Sequence, residues 1–147
     1  MLETQVKNFS ELSINELYRI LQLRSEVFVV EQDCVYQDID GKDEKALHVL
    51  GIKNNQIVAY TRLFKSGDYF EYASIGRVVV SKKERAFKYG YDIMKVSVEA
   101  IETHFKEYKI KISAQAYLKT FYNNCGFKEI GEQYLEDDIP HIAMIKE

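Results

Sequence analysis

Two hydrophobic periods run along this chain, and the switches between them mark its elements. Residues 2–9 read as a short strand. Ser13-Ile14-Asn15-Glu16 then has the form of a capping box, in which the Ser hydroxyl takes an amide proton and the Glu reaches back to the Ser amide. Ile14, Leu17, Tyr18 and Leu21 follow at helical spacing, so a helix runs from there towards Phe28. Residues 33–45 (DCVYQDIDGKDEK) are polar, contain Gly41 and read as a loop. Stretches 47–52 and 57–64 are β-rich and flank Asn54-Asn55, a pair that tolerates the left-handed backbone of a hairpin turn. Ser66-Gly67-Asp68 makes a second turn. Residues 75–80 (IGRVVV) are nearly all apolar, as in a strand buried on both faces. Segment 81–90 (SKKERAFKYG) leads into a helix with the stripe Ile93, Met94, Ser97, Ala100, Ile101 and Phe105. Residues 108–114 alternate as a strand, 117–124 form a short helix stopped at Gly126, and 127–130 and 141–145 supply the last strands. The order β-α-β-β-β-α-β-α-β-β predicts an α/β sandwich around one mixed, mostly antiparallel central sheet flanked by helices.

Composition narrows the picture. The 147 residues suit one domain spanning 1–147, large enough to fold without disulfide or metal staples. Net charge is −3, with Lys and Arg spread along the chain, which disfavours a nucleic-acid or membrane-surface partner. Cys34 and Cys125 are isolated and read as reduced thiols. The N-terminal residues carry no apolar leader, and no stretch is long enough to span a bilayer, so the expected location is cytoplasmic.

Several places could carry chemistry. The junction of strand 75–80 with the following helix offers free backbone amides and the positive end of a helix dipole, a site suited to phosphate. It is equally an ordinary strand-to-helix connection. Tyr122, one turn before the short helix ends, is either a proton donor or a packed aromatic. The acidic loop Asp38-Ile39-Asp40-Gly41-Lys42-Asp43-Glu44 fails as a calcium loop, because Tyr36 and Leu47 fall at positions that need oxygen ligands. It reads as a solvated loop or as a cation-attracting lip for an amine. His48 and Glu31 are the candidate bases, each with a structural alternative. The three histidines have no metal-ligand spacing, so no metal is expected.

Taken in order, LYRILQLRSEVFVVEQDCVYQDIDGKDEKALHVLG, IGRVVV, AQAYLKTFYNNCGFKEIG and YLEDDIPHIAM resemble the GNAT superfamily of N-acetyltransferases and, within it, the ElaA-like group. The resemblance covers the chain nearly end to end. It implies the GNAT fold, acetyl-CoA as co-substrate and a primary amine, small molecule or peptide, as acceptor, attacked directly in a ternary complex by a monomer or homodimer. Val78, Val79 and Val80 would lie on the splayed central strand, with the amides of Val78 and Val80 holding the acetyl and pantetheine groups. Arg85, Ala86, Phe87, Lys88, Tyr89 and Gly90 would form the pyrophosphate loop. Gln115 takes the place of a cofactor-binding Asn, and Tyr122 that of the general acid. Two positions depart from the pattern: Lys88 stands where the first loop glycine is expected, and Asp138 where ElaA-like chains tend to have Gly. Lys88 motivates a second reading, an acyl-CoA-binding or regulatory module with little turnover.

Overall fold

The computed structural model describes residues 2–147. Seven strands form one sheet: β1 (Glu3–Asn8), β2 (Leu47–Lys53), β3 (Gln56–Phe64), β4 (Ala73–Val80), β5 (Ile110–Gln115), β6 (Lys128–Glu136) and β7 (Ile139–Lys146). They stand in the order β1-β2-β3-β4-β5-β7-β6, and every neighbouring pair is antiparallel except β4 and β5. The mixed, mostly antiparallel sheet expected from the element order is what the chain forms.

Strand alternation splits the core in two. Leu47, Val49 and Ala59 face helix α2 (Tyr89–Ala100), where Ile93 and Met94 close the larger cluster with Tyr122 from helix α3 (Lys119–Asn124). Leu50, Tyr60 and Val79 face the other way, onto Ile20, Leu23, Val27 and Phe28 from helix α1 (Ile14–Arg24) and its extension Ser25–Glu31. Ile93 is wholly buried. Truncating such a residue to Ala removes about 2–5 kcal/mol.

The capping box that opens α1 is present: the Glu16 amide donates to Ser13 Oγ at 3.0 Å, and the Ser13 amide donates to Glu16 Oε1 at 2.8 Å. Lys7 of β1 binds the same carboxylate at 2.8 Å, which ties the helix start to the sheet edge. Asn54 and Asn55 turn the β2–β3 hairpin at φ 51° and 62°.

Strand β4 carries the irregularity that shapes the molecule. Tyr60 pairs with Val79 and Arg62 with Gly76, so two steps along β3 match three along β4. The extra residue is accommodated by Arg77 at φ 50°, a left-handed backbone at a non-glycine position. Among the described residues, β4 pairs with β5 only at Ala73–Ile110 and Ser74–Lys111. Beyond Ser74 the two strands part. The expectation that 75–80 is buried on both faces is therefore corrected: Gly76, Arg77 and Val78 are half-buried, because they border the opening.

Candidate functional site

The gap between the parted strands is a cleft of about 580 Å³. One wall is β4 from Ser74 to Val80, whose edge towards β5 carries no partner strand beyond Ser74 among the described residues and so turns backbone polar groups into the opening. Ile112, Ser113 and Gln115 of β5 form the facing wall. Phe28, Gln32 and Tyr36 lie on one side, while Leu118, Phe121 and Tyr122 close the other.

Residues Lys82–Phe87 coil tightly before α2 and bring Arg85 and Lys88 to the cleft. Lys88 caps α2 with φ 59° and ψ 29°, the left-handed region in which glycine is at ease and lysine is strained. That is the physical meaning of the departure seen in the sequence. Gly90 also borders the cleft, and a Cβ there would stand 3.2 Å from the Phe121 ring. Of the loop residues expected to hold the cofactor, Arg85, Lys88 and Gly90 reach the cleft; Ala86, Phe87 and Tyr89 do not line it among the described residues. Phe87 and Tyr89 stack on each other, and Lys53 sits 3.9 Å from the centre of the Phe87 ring. Val78, Val79 and Val80 all border the opening. So does Gln115, which exchanges hydrogen bonds of 3.2 Å with Gln32 across it.

Tyr122 is 6% exposed and borders the cleft. Its hydroxyl has no hydrogen-bond partner among the described residues, and burial pushes its pKa upward. The phenol is therefore protonated and free to donate.

Of the two candidate bases, Glu31 borders the cleft and His48 does not. Glu31 holds Arg85 in a two-pronged ion pair of 2.5 and 2.8 Å, and this contact lowers its pKa. A carboxylate so engaged is a weak proton acceptor. His48 is 1% exposed and lies off the cleft. Its Nδ1 meets Tyr60 Oη at 2.5 Å and its Nε2 meets the Asp43 carbonyl at 2.9 Å, so both nitrogens are spoken for. Burial lowers its pKa. His48 is corrected to a buried residue outside the cleft, and Glu31 stands at the cleft as the ion-pair partner of Arg85.

The acidic loop is corrected as well. Its aspartates are not a free lip but half of an ion-pair network. Arg24 binds Asp38 at 2.9 Å and Asp43 at 2.8 Å; Arg62 binds Asp40 at 2.8 Å and Asp43 at 3.0 Å; Arg77 lies 2.8 Å from Asp38. Tyr36 donates to Asp38 at 2.7 Å. Burial alone would raise the pKa of Asp40, but the hydrogen bond and charge of Arg62 hold it down at about 2. Three arginines facing three aspartates neutralise one another, and the network pins loop, α1 and the β4 bulge together.

Sequence reasoning missed that network. Its signal was present: Arg24 lies four residues after Ile20 on the apolar stripe of α1, and Arg62 interrupts an apolar strand. A charge at a core position needs a buried partner.

The open edge of β4 and the two loop cations suit an anionic, phosphate-bearing ligand. No grouping of metal-binding side chains occurs among the described residues, and no described helix is long and apolar enough to cross a membrane. Comparison with known proteins agrees with the geometry. The chain is 47% identical to Protein ElaA of Escherichia coli strain K12, an alignment covering all of this chain and 97% of that protein. It is 41% identical to a UPF0039 protein of Schizosaccharomyces pombe, covering 97% of this chain and 95% of the relative. The crystal structure of E. coli ElaA superposes with a TM-score of 0.92 at 46% identity, and that of an acyl-CoA N-acyltransferase from Pseudomonas aeruginosa with 0.93 at 40%, each over the whole of both chains. Residues 6–147 match the acetyltransferase (GNAT) domain, and the chain belongs to that family.

Proposed function

We propose that this protein transfers an acetyl group from acetyl-CoA to a primary amine, a small molecule or peptide, bound beside it in the same cleft. The observation that carries the reading is the open edge of β4 next to a protonated, unpartnered Tyr122. The thioester would lie along that edge, where a backbone amide at Val78 can polarise its carbonyl. Arg85 and Lys88 would take the pyrophosphate at the start of α2. Attack by the amine expels the CoA thiolate, and Tyr122 gives that sulfur a proton. The Gln32–Gln115 bridge would have to open or slide aside for the pantetheine arm, and neutral amides exchange partners at little cost.

The test is a thiol-release assay with acetyl-CoA against a panel of primary amines, run beside calorimetry. Saturable thiol release with at least one amine supports the reading. Tight binding without release from any amine would instead favour an acyl-CoA-binding module, the alternative raised by Lys88. The acceptor side of the cleft bears Glu136 and Asp137, which favours a cationic amine over an anionic acceptor.

A further inference from the structure

Where β5, β6 and β7 run side by side, four polar side chains meet. His141 of β7 pairs in register with Gln115 on one side and Tyr134 on the other. Its ring stacks on Tyr134 with centroids 6.2 Å apart. His141, Ser113 and Glu136 all border the cleft. None of them stands out in the sequence, because the three lie on different strands and only the sheet brings them together.

The protonation state of the ring follows from its partners. His141 is 6% exposed, and its Nδ1 lies 2.7 Å from the Ile139 carbonyl oxygen. A carbonyl can only accept, so Nδ1 carries the hydrogen and the lone pair of the neutral ring is on Nε2. Nε2 makes no hydrogen bond among the described residues; Glu136 Oε2 stands 3.5 Å away. Ser113 donates to the other oxygen of that carboxylate at 3.1 Å and is itself hydrogen-bonded to Tyr134 Oη, which fixes the carboxylate beside the ring. A nearly buried imidazole that borders the same cleft as Tyr122 thus carries an acceptor nitrogen with no hydrogen bond among the described residues, and a carboxylate oxygen stands 3.5 Å from it.

Resting on the acetyl-transfer reading above, we infer that His141 is the general base for the acceptor amine and that Glu136 is its positioning residue. The acceptor arrives as an ammonium ion. Nε2 of His141 takes one proton, which frees the nitrogen lone pair. The C–N bond forms at the thioester carbonyl carbon and the C–S bond breaks, with the sulfur pair leaving as thiolate. Tyr122 protonates that thiolate. The second amine proton returns to the Tyr122 oxygen through solvent, and the imidazolium gives its proton to solvent. The sum is ammonium plus thioester going to amide, thiol and one released proton. Glu136 and Asp137 also attract the incoming ammonium.

The titratable groups around the ring are Glu136 and Tyr134 on β6, Asp137 and Asp138 in the turn, and Cys34, whose thiol meets the Asp137 carbonyl at 3.5 Å. Two variants separate catalysis from structure. His141→Asn keeps an N–H donor near Ile139 but removes the base. Its kcat at neutral pH should fall about 10²–10⁴-fold, with acetyl-CoA affinity unchanged and activity climbing back as pH rises and the amine deprotonates unaided. Glu136→Gln removes the carboxylate beside Nε2 that attracts the ammonium, so the KM for the amine should rise while acetyl-CoA affinity stays unchanged. A structural role would lower the Tm without restoring activity at high pH in His141→Asn or raising the amine KM alone in Glu136→Gln. Wild-type turnover in His141→Asn combined with an unchanged amine KM in Glu136→Gln overturns the role of His141 and leaves acetyl transfer standing. A wild-type protein that acetylates no amine overturns the transfer reading and the role of His141 with it. If His141→Asn fails to fold, His141→Gln is read in the same way.

Discussion

Lys88 is the position where sequence and backbone pull hardest against each other, and changing it gives a prediction with two separable parts. Its left-handed φ of 59° costs a non-glycine residue about 1–2 kcal/mol. Glycine adopts that conformation freely but loses more chain entropy on folding, about 0.5–1 kcal/mol. Lys88→Gly should therefore gain on the order of 0.5–1 kcal/mol of stability. For a chain of this length that corresponds to a Tm higher by roughly 1–4 °C. The ammonium, meanwhile, borders the cleft near Arg85. If it pairs with a phosphate at an exposed site, removing it should weaken acetyl-CoA binding by about 2–5-fold, less at high salt. Lys88→Met isolates the charge, since it keeps a long side chain and the strained backbone. The expected pattern is a raised Tm for Lys88→Gly only, and weakened, less salt-sensitive binding for both variants. Scanning calorimetry and titration calorimetry at low and high salt read the two quantities. A Lys88→Gly protein no more stable than Lys88→Met would refute the strain argument. Unchanged affinity in both variants would show that this segment does not touch the cofactor.

Three further outcomes follow from the same geometry. Tyr122→Phe should lower kcat by about 10²–10⁴-fold while leaving the Tm nearly unchanged, because the hydroxyl it loses has no hydrogen-bond partner among the described residues; turnover and melting measured on one preparation check this. Glu31→Gln should tighten acetyl-CoA binding by up to about 5-fold in titration calorimetry, because it frees Arg85 from an ion pair worth about 1 kcal/mol or less. The pKa of Asp40 is depressed, so its contribution of about 2 kcal/mol is present above the ordinary aspartate range and is lost as pH falls from about 4 to 2; Asp40→Asn should flatten acid unfolding in that window and cost about 2 kcal/mol at neutral pH, Arg62 keeping Asp43 as its partner, both read by denaturant titration.

Much of this fold was legible because its hydrophobic positions had a clear period. The capping box at Ser13, the Asn54-Asn55 hairpin and the stripe from Ile93 to Ile101 each announce one conformation by local chemistry alone. The β6–β7 hairpin did not. All of β6 is exposed, so no apolar alternation marks its second half, and its turn uses Asp137 and Asp138 at φ 50° and 62° where asparagine or glycine would have been the usual signal. The strand was therefore expected to end at Ile130, and it runs on to Glu136. That extension is what carries Glu136 to His141.

The site divided along the same line. Val78 to Val80, Arg85, Lys88, Gln115 and Tyr122 follow one another in a recognisable order, and the cleft gathers them. The buried arginines and the His141 cluster are made by contacts between strands far apart in sequence. Arg62 meets Asp40 and Asp43 only because loop and strand fold onto each other, and Ser113 meets Glu136 only across β7. Register sets such neighbours, and register is fixed by the whole sheet.

The central claim is that the parted edge of β4 beside Tyr122 binds acetyl-CoA. Titration calorimetry of the wild-type protein with acetyl-CoA tests it most directly, with thermal melting of the same preparation as a check by linkage. The account predicts saturable binding at one site per chain and a Tm that climbs with acetyl-CoA concentration. An absence of heat and of any Tm shift at millimolar acetyl-CoA would contradict it.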